Sequence, residues 1–460
     1  MVLPIPVVKN QEYEVTIDDL GINGEGIGRI DGFALFVDGA LPAERVRVKA
    51  LKVCKSYAYA KLLEVAEPSP ERVVPPCPYF GRCGGCSLQH LSYCAQLEFK
   101  TKMVRDALIR IGGIKDPKVH EAIGMENPWR YRNKGQFPVA GEKGCEAVGL
   151  YAPGSHRIID IDSCLIQHTV SDEIIAVFKE YMKRHGIAAY DEKTKSGILR
   201  HVVSKIAFAT GEVMVIAVTN GIKLPFADWL VGEIRRRVPG IKSIIQNINA
   251  ESTNVVLGAK NKVLWGESFI TDMIDDLSFR ISPLSFFQVN PAQTKVLYEK
   301  ALEYAGIDGT QRVVDLFCGI GTISLFLAQK VKFVYGVEEV PQAVQDAETN
   351  ARLNNVSNVR FICSDAKLAL DRLPTGEKID VVVVDPPRKG CEPELLEGVL
   401  RLSPERIVYV SCNPATLARD VKHLTQGGYR LIEAQPIDMF PWTGHVETII
   451  MMTNCGKDKK

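Results

Sequence analysis

The chain has 460 residues, a formal net charge of +1, and hydrophobic and charged fractions of 46% and 24%. That length is too great for one core and fits two to four domains. The balance is that of an ordinary soluble protein: no apolar run approaches the roughly 18 residues of a membrane span, and Met1 to Asn10 lacks the features of a signal peptide.

Residues 1–66 read as all-β. Tyr13–Ile17 alternates, Gly21, Gly24, Gly26 and Gly28 punctuate turns, and Ala34–Asp38 and Glu44–Lys49 repeat the period of two. Five or so short strands in this length predict a small barrel of the oligonucleotide-binding kind. Near-neutral net charge does not announce a nucleic-acid partner, but local charge says more. Arg45, Arg47, Lys49, Lys52, Lys55 and Lys61 form a run with no acidic residue among them. Such a run contacts phosphates or simply lies on a solvated strand face. Pro68, Pro70, Pro75, Pro76 and Pro78 then predict a stiff linker.

Of twelve cysteines, Cys77, Cys83, Cys86 and Cys94 crowd the region after that linker. Without a secretion signal, metal or catalytic roles are favoured over disulfides. Cys77, Cys83 and Cys86 share a Gly/Pro-rich loop and need a fourth ligand from elsewhere. Cys94 is near in sequence but falls in a segment of helical spacing, Tyr93 to Ile111, marked by Leu97, Val104, Leu108 and Ile109. Four soft thiolates suit an iron–sulfur cluster or zinc, and spacing alone does not choose between them. The Cys-x3-Cys-x2-Cys spacing of radical chemistry is absent.

Trp129-Arg130-Tyr131-Arg132-Asn133-Lys134 interleaves rings and cations, a second candidate contact for phosphates and bases. From about 127 to 265, strands such as Val213–Val218 mix with helices over 171–185 and 226–238, predicting an α+β middle domain. From about 280 onward strand and helix alternate. The apolar runs 312–316, 333–337, 359–363, 381–384 and 407–410 predict a parallel sheet buried on both faces. Gly427-Gly428 and Thr448–Met452 predict a closing hairpin.

Asp315-Leu-Phe-Cys-Gly-Ile-Gly-Thr322 follows one of these strands and precedes a helix over 323–329. Its glycines allow a tight turn and close approach to a ligand. Glu338 ends the next strand, where a carboxylate can bond ribose hydroxyls. Ser324 stands where a nicotinamide fingerprint has its third glycine, and the loop instead resembles the first motif of class I S-adenosylmethionine-dependent methyltransferases. Ser364-Asp365 ends the third strand, near the expected adenine site.

Asp385-Pro-Pro-Arg-Lys-Gly390 places a carboxylate at a strand's carboxyl end, able to accept a hydrogen bond from uracil N3–H or an amino group. Cys412, in Tyr409-Val-Ser-Cys-Asn-Pro414, follows another strand. Pyrimidine C5 is a poor nucleophile, and a thiolate added to C6 makes it enolate-like. A base must then remove the C5 proton. Glu447, in Gly444-His-Val-Glu447, is the candidate, with His445 second. A buried small hydrophobe is the alternative fate for Cys412. Cys318 and Cys391 are weaker candidates for the nucleophile.

Together these motifs resemble the RNA (uracil-5-)-methyltransferases over essentially the whole chain, most closely the branch acting on 23S ribosomal RNA. The resemblance implies a Rossmann-like α/β catalytic domain (93–126 and 271–460), an RNA-binding TRAM-like barrel (1–66) and an α+β middle domain (67–92 and 127–270). It implies Cys77, Cys83, Cys86 and Cys164 as ligands of a [4Fe–4S] cluster, with zinc the alternative. It implies Gln288, Phe317, Gly319, Gly321, Thr322, Glu338, Asp365 and Asp385 as contacts of S-adenosylmethionine. Phe286 and Asp385 match contacts of the flipped base, Cys412 the nucleophile and Glu447 the proton acceptor. Thr322 and Asp365 replace an Asn of some members, and Trp442 a frequent His. The expected protein is a cytoplasmic, monomeric enzyme of ribosomal RNA, with no membrane or obligate protein partner. The same chemistry on tRNA is the nearest rival. That branch generally lacks barrel and cluster, so residues 1–90 argue against it. Cytosine methylation would want Pro-Cys where the chain has Pro387-Arg388. A non-catalytic RNA-binding factor is the rival of another class.

Overall fold

The structure, a computed structural model, describes residues 5–141, 146–374 and 376–456. The outermost ends of the first and last expected domains therefore lie outside the described residues.

Strands β1 (Glu12–Leu20), β2 (Gly26–Ile30), β3 (Phe33–Asp38), β4 (Arg45–Val53) and β5 (Tyr57–Glu67) close into a barrel of order β1-β2-β3-β5-β4. Alternation drives this: Val15, Ile17, Leu35, Val37, Val46 and Val48 turn inward to one core, while the polar residues between them face out. The proline-rich linker is not free. Buried Glu44 accepts hydrogen bonds from the backbone N–H of Leu41 and Ser69 and pairs with Arg72, which ties the linker back to the barrel. The basic run is partly spent in the same way. Arg45 pairs with Glu67, and Arg47 with Glu12 and Glu64, leaving Lys52, Lys55 and Lys61 exposed on the outer surface.

Helix α1 (Tyr93–Arg110) is capped by Ser92, whose side chain accepts from Ala95 N–H. Its apolar residues Val104 and Leu108 enter the core of the final domain. Strands β6 (Lys134–Ala140), β7 (Ala147–Tyr151) and β8 (Ile158–Asp160), helix α2 (Val170–His185), strands β9 (Leu199–Ile206) and β10 (Val213–Thr219), helix α3 (Ala227–Arg237), and strands β11 (Ile241–Ile248) and β12 (Lys260–Gly266) build the middle region. Its sheet has the order β12-β11-β10-β9-β6-β7-β8. A hairpin of β13 (Ile270–Ile274) and β14 (Leu277–Ile281) leads on.

The last region runs α4 (Pro291–Ala305), β15 (Arg312–Leu316), α5 (Thr322–Ala328), β16 (Phe333–Glu338), α6 (Pro341–Leu353), β17 (Val359–Cys363), α7 (Ala366–Leu370), β18 (Val381–Val384), α8 (Pro393–Leu402), β19 (Arg406–Ser411), α9 (Pro414–Gln426), β20 (Tyr429–Ile437) and β21 (Glu447–Asn454). Proline opens α4, α6, α8 and α9, where its missing N–H would have had no helical partner. The sheet order is β17-β16-β15-β18-β19-β21-β20, parallel except for β21, which is antiparallel to both neighbours. The four valines of β18 are all buried, as a strand covered on both faces requires. The expected closing hairpin is thus β20–β21, and β21 inserts beside β19 rather than at the edge. Among the described residues, no helix is long and apolar enough to cross a membrane.

Candidate active site

Strand order decides what meets at the carboxyl end of this sheet. β15 and β18 pair with Leu316 opposite Val384, so Phe317 and Asp385 emerge side by side. β19 and β21 pair antiparallel with Ser411 opposite Thr448, which sets Cys412 beside Glu447. The order β15-β18-β19-β21 therefore brings Phe317, Asp385, Cys412 and Glu447 to one edge, from positions up to 130 residues apart in sequence.

The turn after β15 is built by backbone sterics. Phe317, Gly319 and Gly321 all have positive φ, of 68°, 55° and 83°. A Cβ on Gly321 would lie 2.9 Å from the Phe361 ring, whereas one on Gly319 would meet nothing within 4 Å, so the turn opens outward at that point. Ser324 Oγ donates to Asp315 Oδ2 at 2.5 Å, which explains a serine where a glycine was considered. Burial, with Asp385 and Glu338 nearby, pushes Asp315 up to about 7. Glu338 accepts from Gly319 N–H (3.1 Å) and Val340 N–H (2.9 Å), which holds its carboxylate at the mouth of the turn. A cavity of about 270 Å³ lies here, lined by Phe317, Glu338, Asp365, Lys367, Pro387 and Lys389 among others. An open turn, a carboxylate fixed at the end of the second strand and a cavity beside them fit a nucleoside-bearing cofactor.

Thr322 Oγ1 accepts from Tyr298 OH at 2.8 Å, so its side chain braces α4 against α5. Gln288 and Phe286 sit on the loop between β14 and α4, and neither is among the lining residues of this cavity. Buried Lys205 donates to the carbonyls of Ser282 (2.7 Å) and Ser285 (2.9 Å), and Asn133 Nδ2 to that of Gln288 (2.9 Å). The loop is thereby held with Phe286 66% exposed, free to meet a ligand.

Cys412 is half-buried in the turn between β19 and α9, and Asn413 caps α9 by accepting from Ala415 N–H at 3.0 Å. Burial, Glu447 and Asp385 push its thiol up to about 11, and the Arg388 guanidinium opposes them. Glu447 is buried at 4% exposure. Its carboxyl is held well above the usual range by burial and by Asp385. Burial pushes Asp385 up to about 7. Burial and a neighbouring carboxyl both disfavour the charged form of Glu447, so once ionised it holds a proton more tightly than a solvated glutamate does. His445 is exposed at the rim of the site, and partial desolvation of its ring together with the nearby cations Arg388, Lys100 and Arg132 lowers its pKa. Arg388, which sequence reasoning gave no site role, is a cation acting on both Cys412 and Glu447.

Cys412, Arg388 and His445 form one wall of a second, larger cleft of about 730 Å³. Its other walls are the turn after β1 and residues of α1 such as Lys102. The barrel is therefore docked across the mouth of the active site.

The segment from Asp438 to Val446, which delivers Glu447, is gripped from far away. Lys100, fully buried, pairs with Asp438 and donates to Phe440 O at 3.2 Å. Tyr93 OH donates to Asp438 Oδ2 at 2.9 Å. Trp442 has φ 70°, costly for a bulky residue, yet each of its groups is occupied. Its N–H donates to Gln96 Oε1, its carbonyl accepts from Ser87 and Leu88 N–H, its Nε1 donates to Pro128 O, and its ring stacks on Trp129 at 4.1 Å. Gln96 and Lys100 are polar residues buried on the same helix as Phe99 and Val104, and no motif in the sequence marks them.

One expectation changes. The stretch Trp129–Lys134 is a structural clamp rather than a free RNA-facing surface. Arg130 pairs with Asp172 and donates to Cys164 O, Tyr131 OH donates to Pro441 O, and Trp129 carries Trp442. Cys94 is exposed on α1, while Cys77, Cys83, Cys86 and Cys164 line one small cavity with Tyr79, Phe80 and Ile161. Gly85 N–H donates to Cys83 Sγ at 3.3 Å. Among the described residues, no three His, Cys, Asp or Glu side chains are grouped so as to hold a metal ion. Cys318 and Cys391 are buried, Cys391 against Tyr409 OH, as structural cysteines are.

Residues 242–455 match the family model described as tRNA (Uracil-5-)-methyltransferase, and residues 6–63 match the TRAM domain. An RNA methyltransferase of Halalkalibacterium halodurans is 52% identical over 97% of this chain and 98% of its own. One of Clostridium tetani is 53% identical over 99% of each. Among solved structures, the Pyrococcus abyssi tRNA (uracil-54, C5)-methyltransferase in complex with S-adenosyl-L-homocysteine superposes with a TM-score of 0.78 at 30% identity. The match covers 96% of this chain and 99% of that one. The last result corrects the argument from residues 1–90. An enzyme of tRNA matches along almost the whole chain, so the barrel does not separate rRNA from tRNA substrates.

Proposed function

The chain belongs to the RNA (uracil-5-)-methyltransferase family, an S-adenosylmethionine-dependent RNA methyltransferase with a TRAM domain, and from that premise we propose that it methylates uracil C5 in 23S ribosomal RNA. The observation that carries the chemistry is the strand register that sets a half-buried thiol, Cys412, beside a buried carboxyl, Glu447, at the cofactor edge. S-adenosylmethionine supplies an electrophilic methyl group when bound. Phe317, Glu338, Asp365 and the Gly319–Gly321 turn would hold its adenosine end, and Gln288 would close on it from the β14–α4 loop.

The target uridine leaves its stack and enters the cleft, because its C5 and C6 faces are blocked in a helix. Asp385 receives uracil N3–H and Phe286 packs on the base. Cys412 would lose its thiol proton to solvent and add Sγ to C6, and the electron pair gathered at C5 would accept the methyl group that bound S-adenosylmethionine would supply. Glu447 takes the C5 proton, the pair returns to the ring, and the C6–S bond breaks to restore the thiolate. Arg388 opposes the rise of the Cys412 thiol and would offset the charge of the thiolate as it forms and as it is released.

Cys77, Cys83, Cys86 and Cys164 line one small cavity between the linker loop and the middle region, and four thiolates are the donor set an iron–sulfur cluster takes. They would hold a [4Fe–4S] cluster, tying residues 77–86 to the middle domain.

The 23S assignment rests on the motif resemblance. The tRNA reading is favoured by the whole-length likeness to a tRNA enzyme. Transfer of labelled methyl to unmodified rRNA and tRNA transcripts, with the product nucleoside mapped, decides between them. 5-Methyluridine in 23S rRNA is the expected result; label confined to tRNA overturns the substrate, and label in neither overturns the function.

A further inference from the structure

The cleft at Cys412 does not end within the catalytic region. Ile27, Phe36 and Tyr59, on the outer face of the barrel, line the same cavity as Arg388, Cys412 and His445. Register explains their grouping. β3 and β5 pair with Phe36 opposite Tyr59, and β2 and β3 with Ile27 opposite Phe36, so the three side chains leave one face in a row. Tyr57, two residues before Tyr59, shares that face.

The ring of Phe36 lies 5.8 Å from that of Tyr59 at 40°. Tyr57 stands edge-on to both, at 5.6 and 5.4 Å. Tyr59 is 44% exposed. This is apolar, planar area left facing water on a small barrel whose inner core is already complete. Lys52 stands opposite Tyr59 on β4, exposed, which sets a cation beside the rings.

We propose that Phe36 and Tyr59, braced by Tyr57, form a stacking platform for an unpaired nucleobase of the RNA strand that carries the target nucleotide. The inference rests on the reading of the Cys412 cleft as the RNA-binding active site, and it assigns the barrel a role in holding bases as well as phosphates. Extruding one nucleotide strips its neighbours of stacking, and aromatic faces in the same cleft replace it. Because every base has a flat face, the platform selects single-stranded RNA near the target rather than a particular base. Lys52 would meet the adjoining phosphate.

The test uses the full chain and two fluorescent probes of about ten nucleotides, oligouridylate and an abasic ribose-phosphate strand of equal length. Phe36→Ala/Tyr59→Ala should weaken oligouridylate binding about tenfold or more and leave the abasic strand unchanged. Tyr59→Phe should bind as the parent does, since it keeps the ring. Should the double variant fold poorly by thermal melting, Tyr59→Ala alone, at an exposed position, serves in its place. An equal loss on both probes, or no loss on oligouridylate, overturns the proposal. Methyl transfer is read separately: no uracil product from the parent enzyme, with the base-dependent loss intact, would strike the assigned reaction and leave the platform standing.

Discussion

The two ends of the catalytic edge are assembled from different distances. At the cofactor end, the bonds that shape the turn span 9 residues (Ser324 to Asp315), 19 (Gly319 to Glu338) and 24 (Tyr298 to Thr322). At the proton-acceptor end, the segment before Glu447 is held across 338 residues by Lys100, 345 by Tyr93, 346 by Gln96 and 357 by Ser87. The first end is encoded by one short motif and forms when β15 and β16 pair. The second exists only when the linker loop, α1 and the middle region have docked. Cofactor binding should therefore survive damage that disables the base.

Substitutions probe that difference, beginning with the proposed nucleophile. Cys412→Ala should abolish methyl transfer and the covalent RNA adduct while leaving binding of S-adenosylhomocysteine intact by calorimetry. Turnover at the parent rate would end the covalent mechanism. Glu447→Gln should slow turnover by roughly 10²–10⁴-fold and let the adduct accumulate on denaturing gels, because elimination needs the base. If no adduct appears, His445 takes the role.

Lys100→Met tests the long-range grip. It leaves Asp438 buried without its cation and should cost about 3–5 kcal/mol in denaturant unfolding. Adding Asp438→Leu should restore much of that stability but not turnover, since the segment before Glu447 loses its anchor. Recovery of both would show that the pair only stabilises the fold.

Gly321→Ala tests the local end. The positive φ and the Phe361 ring together should cost on the order of 1–2 kcal/mol, read mainly as weaker S-adenosylhomocysteine binding. The smallest effect concerns the thiol. With its pKa at about 11, Cys412 should be alkylated slowly by iodoacetamide at neutral pH, and faster as pH rises towards that value. Glu447→Gln removes a negative neighbour that raises the thiol, so its profile should move to lower pH. Arg388→Ala removes the opposing cation, so its profile should move to higher pH. A profile unmoved by either would separate Cys412 from both groups.

The signals that were legible in sequence are those whose physics is local. The runs 312–316, 359–363 and 381–384 became strands with those bounds, because short apolar-rich runs between turn signals favour strands, although β17 lies at the sheet edge and is only partly buried. Phe317 to Thr322 was legible because a tight turn needs its glycines wherever the rest of the chain lies. Trp129–Lys134 misled for the opposite reason: interleaved rings and cations look the same on an RNA-facing surface as in a clamp filled by Asp172, Pro441 and Trp442.

By itself the sequence determined the class of fold, the cofactor turn and the residue types able to do the chemistry, because periodicity and turn sterics act over a few residues. Only the tertiary structure decided that Cys412 stands beside Glu447, that Cys77, Cys83, Cys86 and Cys164 meet at one cavity, that Lys100 is an internal cation, and that the barrel closes over the cleft. Each depends on strand register or on docking between distant segments. The free energy of such contacts belongs to the assembled surfaces, and no local stretch of chain carries it.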